Sequence, residues 1–287
     1  MKKLNIFIIL LIFIISLCAC NKKKNNKIII LTTIDPIKSI VEEISDDEFE
    51  VITIVPSGSS PETYSPKVKD MIKYKNASLY FSIGLSVEDQ NVYKYIDDST
   101  KEIELDKEVK KVYDDLLIGN NRDPHIWLSL KRVLVMAQVI EKELSLLKPE
   151  REPIYSSNLS NFSHEIYEAE EYINNLFSNC ENPVFITFHP AFQYFAEEFN
   201  IKMYSLENDG KESTPKDRIE IINIAKELNI KVIFYQEELS SKEAKSIAEE
   251  IGGIAQVLSP LSTDVLYNIK NIADLIRGSQ SGSFDQN

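Results

Sequence analysis

Residues 153–177 read PIYSSNLSNFSHEIYEAEEYINNLF, and this stretch decides how the chain is organised. After Pro153 it contains no glycine and no second proline. Its apolar residues recur at Ile154, Leu159, Phe162, Ile166, Ala169, Ile173 and Leu176, mostly three or four apart, which is the period of a helix face. The spacing predicts one helix of about 25 residues, longer than the usual 8–20. A long, highly charged helix in mid-chain is suited to cross between two lobes.

The sequence on either side has a different period. Before the helix, Ile28-Ile29-Ile30-Leu31 is a short continuous apolar run, consistent with a buried strand. Ile37, Ile40, Val41 and Ile44 then repeat at helical spacing. A strand is expected over 49–55, a turn at Pro56-Ser57-Gly58, a helix over 68–74, a strand over 79–83 and a helix over 87–96. Residues 130–147 form an amphipathic helix stopped near Pro149. Beyond the long helix, strands are expected over 184–188, 202–206, 231–235 and 255–258. Helices are expected over 191–199, 215–228, 242–251 and 265–276. Strands alternating with helices argue for parallel βα units. The expected fold is α/β, with two lobes, each a mainly parallel sheet flanked by helices, joined by one long central helix. The expected boundaries are an N-terminal lobe at 27–147, a linking long helix at 148–179 and a C-terminal lobe at 180–287.

The N-terminus reads as an export signal. Lys2 and Lys3 precede an uncharged apolar run over residues 6–15, and Ser16 and Ala19 precede a cysteine. A spanning helix needs about 17–25 apolar residues, and this run is interrupted too early. Leu17-Cys18-Ala19-Cys20 resembles the lipobox of bacterial lipoproteins, which implies lipidation at Cys20 after removal of residues 1–19. Residues 20–26 then form a Lys/Asn-rich tether. The expected location is exported and lipid-anchored to the membrane, in the periplasm or on the outer face of the cell membrane.

Composition narrows the function. Cleavage removes Lys2 and Lys3 and no acid, taking the net charge from −13 to −15. Nucleic-acid binding favours basic surfaces, so it is disfavoured. Of three cysteines only Cys180 stays free in the mature form, so no intrachain disulfide is available. No G-x-x-x-x-G-K-[ST] loop, H-E-x-x-H or G-x-S-x-G occurs.

The chain has only three histidines. Asp123-Pro124-His125-Ile126-Trp127 places one in a turn before a helix, and Phe188-His189-Pro190-Ala191-Phe192 places another between a strand and a helix. Ligands of open α/β sheets sit at the carboxyl ends of strands. Imidazole binds zinc and its neighbours as the neutral ring, but either histidine can equally be a turn residue bonded to backbone. His164, inside the long helix, is expected to face solvent.

These segments carry a specific resemblance. Asp123-Pro124-His125-Ile126-Trp127-Leu128-Ser129, Phe188-His189-Pro190-Ala191-Phe192-Gln193-Tyr194-Phe195 and Ser57-Gly58-Ser59-Ser60-Pro61-Glu62-Thr63-Tyr64-Ser65-Pro66 resemble the DPHxWxS, FHxAFxYF and PHTYEP segments of the cluster A-I solute-binding family. These are the metal-binding lipoproteins of zinc and manganese ABC importers. The resemblance implies a metal between two lobes, with Glu62, His125 and His189 as ligands and Glu62 standing where many members have histidine. It also implies a monomer that serves a permease whose ATPase is a separate chain. The mixed oxygen and nitrogen set suits Zn2+ or Mn2+ better than calcium or magnesium.

The family's fourth ligand, an acid after the last strand, aligns best with Ser259. Asp264 is the tentative fourth, although Asp264 can instead cap the last helix. Glu207 is another acid in a post-strand loop. The stretch 113–122 carries Asp114 and Asp115 but no histidine, which weakens zinc against manganese. The expected function is therefore capture of zinc first, manganese second, for an importer, and no enzymatic activity. The alternatives are an adhesin-like or structural envelope lipoprotein with a degenerate site and, behind it, a metal-dependent hydrolase.

Overall fold

The computed structural model describes residues 27–207, 213–239 and 242–280, without the side chains of 89–91. The expected signal peptide, Cys20 and the tether lie outside the described residues, as does the tail from 281. Among the described residues, no helix is long and apolar enough to cross a membrane.

The first lobe is built from βα units. Strand β1 (Ile29–Thr32) leads into α1 (Asp35–Ser45), and β2 (Glu50–Thr53) into a long connection ending at α2 (Val68–Tyr74). Next come β3 (Ala77–Ser82), α3 (Ser86–Asn91), β4 (Lys101–Glu104) and α4 (Leu105–Lys110). All four strands are parallel, in the order β2-β1-β3-β4. Ile30 and Leu31 are fully buried, as a strand covered on both faces requires. A small antiparallel hairpin, β5 (Leu117–Ile118) and β6 (Asn121–Arg122), then delivers the chain to a 3₁₀ turn at Ile126–Leu128.

Helix α5 (Leu130–Leu147) follows, capped by the Ser129 hydroxyl accepting from Arg132 N. Helix α6 (Glu152–Phe177) is the predicted long helix, one residue longer at its start. Its buried stripe is Tyr155, Phe162, Ile166, Ala169, Ile173 and Phe177.

The second lobe comprises β7 (Val184–Thr187), α7 (Gln193–Glu198), β8 (Lys202–Ser205), α8 (Pro215–Glu227), β9 (Val232–Tyr235), α9 (Lys242–Glu250), β10 (Ile254–Val257) and α10 (Val265–Gln280). Its strands are again all parallel, ordered β10-β9-β7-β8. Helix α6 packs on α1 of the first lobe and α10 of the second. Asn158 Nδ2 donates to Ile44 O (3.0 Å), and Tyr172 OH to Asp274 Oδ1 (2.6 Å). One apolar core is continuous from Ile30 through Ile173 to Phe234, and a smaller one around Ile233 and Ile247 fills the outer side of the second sheet.

Candidate metal centre

Each sheet reverses its strand order beside its first strand, so crevices open at the carboxyl ends of β1/β3 and β7/β9. His189 leaves β7 two residues past its end, at the second crevice. Its carbonyl accepts from the Thr187 hydroxyl (3.1 Å) and Ala191 N (2.9 Å), which turns the backbone tightly and holds the ring inward at 4% exposure.

His125 is placed by a different device. Asp123, fully buried, accepts the His125 backbone N–H (2.9 Å) with Oδ1, and the same oxygen lies 2.7 Å from His125 Nδ1. The segment is anchored on both sides. Arg122 donates to Ile83 O and Gly84 O of the first lobe (both 2.9 Å), while Tyr194 OH donates to Asp123 O (3.1 Å) and Trp127 Nε1 to Pro260 O (2.8 Å) in the second. Gly84 is required here: its φ is +75°, and a Cβ would stand 2.4 Å from the Arg122 guanidinium.

Glu62 comes from the connection after β2. The chain folds around Ser60, whose carbonyl accepts from Thr63 N (3.2 Å) and Tyr64 N (2.9 Å), and Glu62 projects from that turn. Its side chain is 43% exposed, far more than either histidine.

The three side chains meet. The His125 and His189 ring centroids are 5.4 Å apart at 72°. Glu62 Oε1 is 2.8 Å from His189 Nε2, and Glu207 Oε2, at the exit of β8, is 2.7 Å from His189 Nδ1. One ligand atom from each of Glu62, His125 and His189 fits within a 4.8 Å group. Bonds of about 2.0–2.2 Å to a zinc-sized ion need only a modest contraction of such a group. His189 Nε2 is buried and close to Glu62 yet lacks an aligned hydrogen bond, the state of a donor atom suited to a cation between them.

Electrostatics agree. Burial works to lower the His189 pKa, but the Glu207 and Glu62 carboxylates outweigh it and carry it up to about 9. Burial works to raise Glu62, but its contact with His189 and the two imidazole charges hold it below the usual carboxylate range. The pocket is thus built to hold positive charge.

Asp264, the tentative fourth ligand, is not brought to this group. Its Oδ1 accepts from Tyr267 N (2.9 Å), the cap expected where an aspartate precedes a helix, and it lines a separate acidic cavity of about 400 Å³ with Glu42, Glu43 and Glu165. The Ser259 hydroxyl is turned back onto Leu261 O (2.7 Å). His164 is exposed beside Glu168, as expected. Sequence reading passed over the contacts of Asp123 and Glu207 to the two Nδ1 atoms. The only signal for Glu207 was an acid in the exit loop of a strand next to that of His189.

Comparison with known proteins points the same way. The family model described as zinc-uptake complex component A, periplasmic, matches residues 30–276. The zinc-binding protein AdcA of Streptococcus pyogenes serotype M1 is 26% identical over 265 residues, 82% of this chain and 50% of AdcA, so the chain spans about half the length of that relative. The manganese ABC transporter substrate-binding lipoprotein PsaA of Streptococcus mitis is 26% identical over 271 residues, 87% of each chain. Among solved structures, the crystal structure of ZnuA is similar at a TM-score of 0.82 and 30% identity, covering 89% of this chain and 100% of that one.

Proposed function

Because the chain belongs to the periplasmic zinc-uptake complex component A family, we propose that it captures a divalent transition metal between its lobes and delivers it to an ABC importer. The lobes are residues 27–147 and 180–287, with 148–179 as the link. Glu62, His125 and His189 are the ligands. The observation that carries this reading is their convergence within 4.8 Å, with a buried His189 Nε2 that lacks an aligned partner.

Two imidazoles and one carboxylate suit zinc first and manganese second. A fourth position is left for water or for a donor on the permease. Asp264, spent on its cap, is outside the set. A lipid on Cys20 and the tether over 20–26 keep the protein near its permease, and hydrolysis of ATP belongs to another chain.

The test uses residues 21–287, stripped of metal and titrated with zinc and manganese by calorimetry, beside a His125→Ala, His189→Ala double variant. The expected result is one tight site in the parent and none in the variant. No binding by the parent defeats the function, and binding that survives the double change defeats the ligand set.

A further inference from the structure

The two histidines are each held from behind by a carboxylate, but the two holds differ in origin. Asp123 is local: it is two residues from His125 and also takes that residue's backbone N–H. Glu207 is 18 residues from His189 and reaches it from another strand. Strands β7 and β8 pair in register as far as Thr187 with Ser205, and the ladder runs on past the sheet. Leu206 N donates to Thr187 O (3.1 Å) and Glu207 N to Phe188 O (2.9 Å). The Ser205 hydroxyl then donates to Glu207 O (3.0 Å). Backbone pairing therefore fixes where Glu207 starts, directly beside His189.

A free imidazole carries its proton on either nitrogen and turns about its side-chain bonds. A carboxylate on Nδ1 keeps the proton there and presents the Nε2 lone pair in one direction. Glu207 Oε2 lies 2.7 Å from Nδ1, whereas Glu62 Oε1 lies 2.8 Å from Nε2, on the opposite edge of the ring. From the Nδ1 edge it does not share a metal bound at Nε2.

We propose that Glu207 is a positioning residue for metal capture: it holds the Nδ1 proton of His189, makes Nε2 the metal-facing atom, and stays outside the coordination shell. The inference rests on His189 being a ligand.

The experiment compares residues 21–287 as wild type, Glu207→Ala, Glu207→Gln and the His125→Ala, His189→Ala double variant. Zinc affinity is measured by competition, Co2+ spectra report the donor set, and nitrogen-15 NMR of the zinc form reports which imidazole nitrogen is protonated. Glu207→Ala should weaken zinc by about 10–100-fold, the usual effect of losing such a partner. Glu207→Gln, whose amide oxygen accepts the same Nδ1–H, should recover most of that loss. The Co2+ bands should keep their position and intensity in both, and His189 should stay protonated at Nδ1 in the glutamine variant. Should the alanine variant not fold, Glu207→Met keeps the stem and removes the acceptor, and takes its place.

Unchanged zinc affinity in the variant without an acceptor overturns the proposal. So does a glutamine variant as weak as alanine with shifted Co2+ bands, which makes Glu207 a ligand. A wild type that binds no zinc, or a double variant that still binds it, instead defeats the underlying ligand reading.

Discussion

Glu88 is a buried carboxylate in the first lobe's own crevice, at the carboxyl ends of β1 and β3. It is 1% exposed, and it accepts from the Thr33 hydroxyl, Ile83 N (3.0 Å) and Gly84 N (2.8 Å). Burial raises its pKa, and these three bonds only partly offset that, leaving it at about 7. An acid with a raised folded pKa binds more protons folded than unfolded between about 4.5 and 7, so stability falls as pH rises through that window. The full loss, reached above pH 7, is on the order of 3 kcal/mol. Glu88→Gln has no charge to bury and should lack this slope, whatever its baseline stability. Urea unfolding of the chelated proteins at pH 5, 6, 7 and 8 reads both. Parallel pH profiles for parent and variant would show that Glu88 is not the titrating group.

The long helix joins the two sheets through packing as well as through the chain. The N-terminal half of α6 binds α1 through Asn158, and its C-terminal half binds α10 through Tyr172 and through Leu176 O, which accepts from Arg277 Nε (3.1 Å). Ile166, 2% exposed, sits midway in the shared core. Ile166→Ala should cost about 2–5 kcal/mol. Because the core is continuous, unfolding should remain a single transition displaced to lower urea. Two transitions in the variant, read by tryptophan fluorescence and far-UV dichroism, would show that the lobes are stabilised separately. This helix was the most legible element in the sequence because its apolar period, after one five-residue step from Ile154 to Leu159, holds to Leu176. The strand Lys101–Glu104 was not legible: Lys-Glu-Ile-Glu at a sheet edge has one apolar residue to show. The hairpin at 117–122 was missed for a similar reason, since two-residue strands have no period. Among the candidate site residues, Glu62, His125 and His189 could be singled out through family-like segments. Glu207 was not, because its role depends on β7 lying beside β8, a fact of sheet order that no local pattern carries.

At the scale of the whole molecule, the three proposed ligands do not ride on equivalent supports. The His125 segment is bound to the second lobe by Tyr194, by Pro260, and by Glu198, which accepts from the Ser129 hydroxyl and Lys131 N (3.0 Å). Arg122, through Ile83 O and Gly84 O, and α5, packed on α1 and α4, bind it to the first lobe as well. His125 and His189 therefore belong to one rigid frame, with α6 bracing both lobes. Glu62 alone stands on a turn within the long connection between β2 and α2, with its side chain 43% exposed. Metal should then act on that connection and leave the lobes nearly where they are. Scattering from residues 21–287 should give a radius of gyration close to about 18 Å, as for any compact chain of this length, both with zinc and with chelator. Hydrogen exchange should slow on zinc addition at residues 56–66, with little change along α6. A clear contraction on metal addition would mean that the lobes close as a hinge and that the Arg122 and Tyr194 anchors give way. Exchange that slows equally in α6 would mean that the metal stabilises the whole fold and does not order one loop.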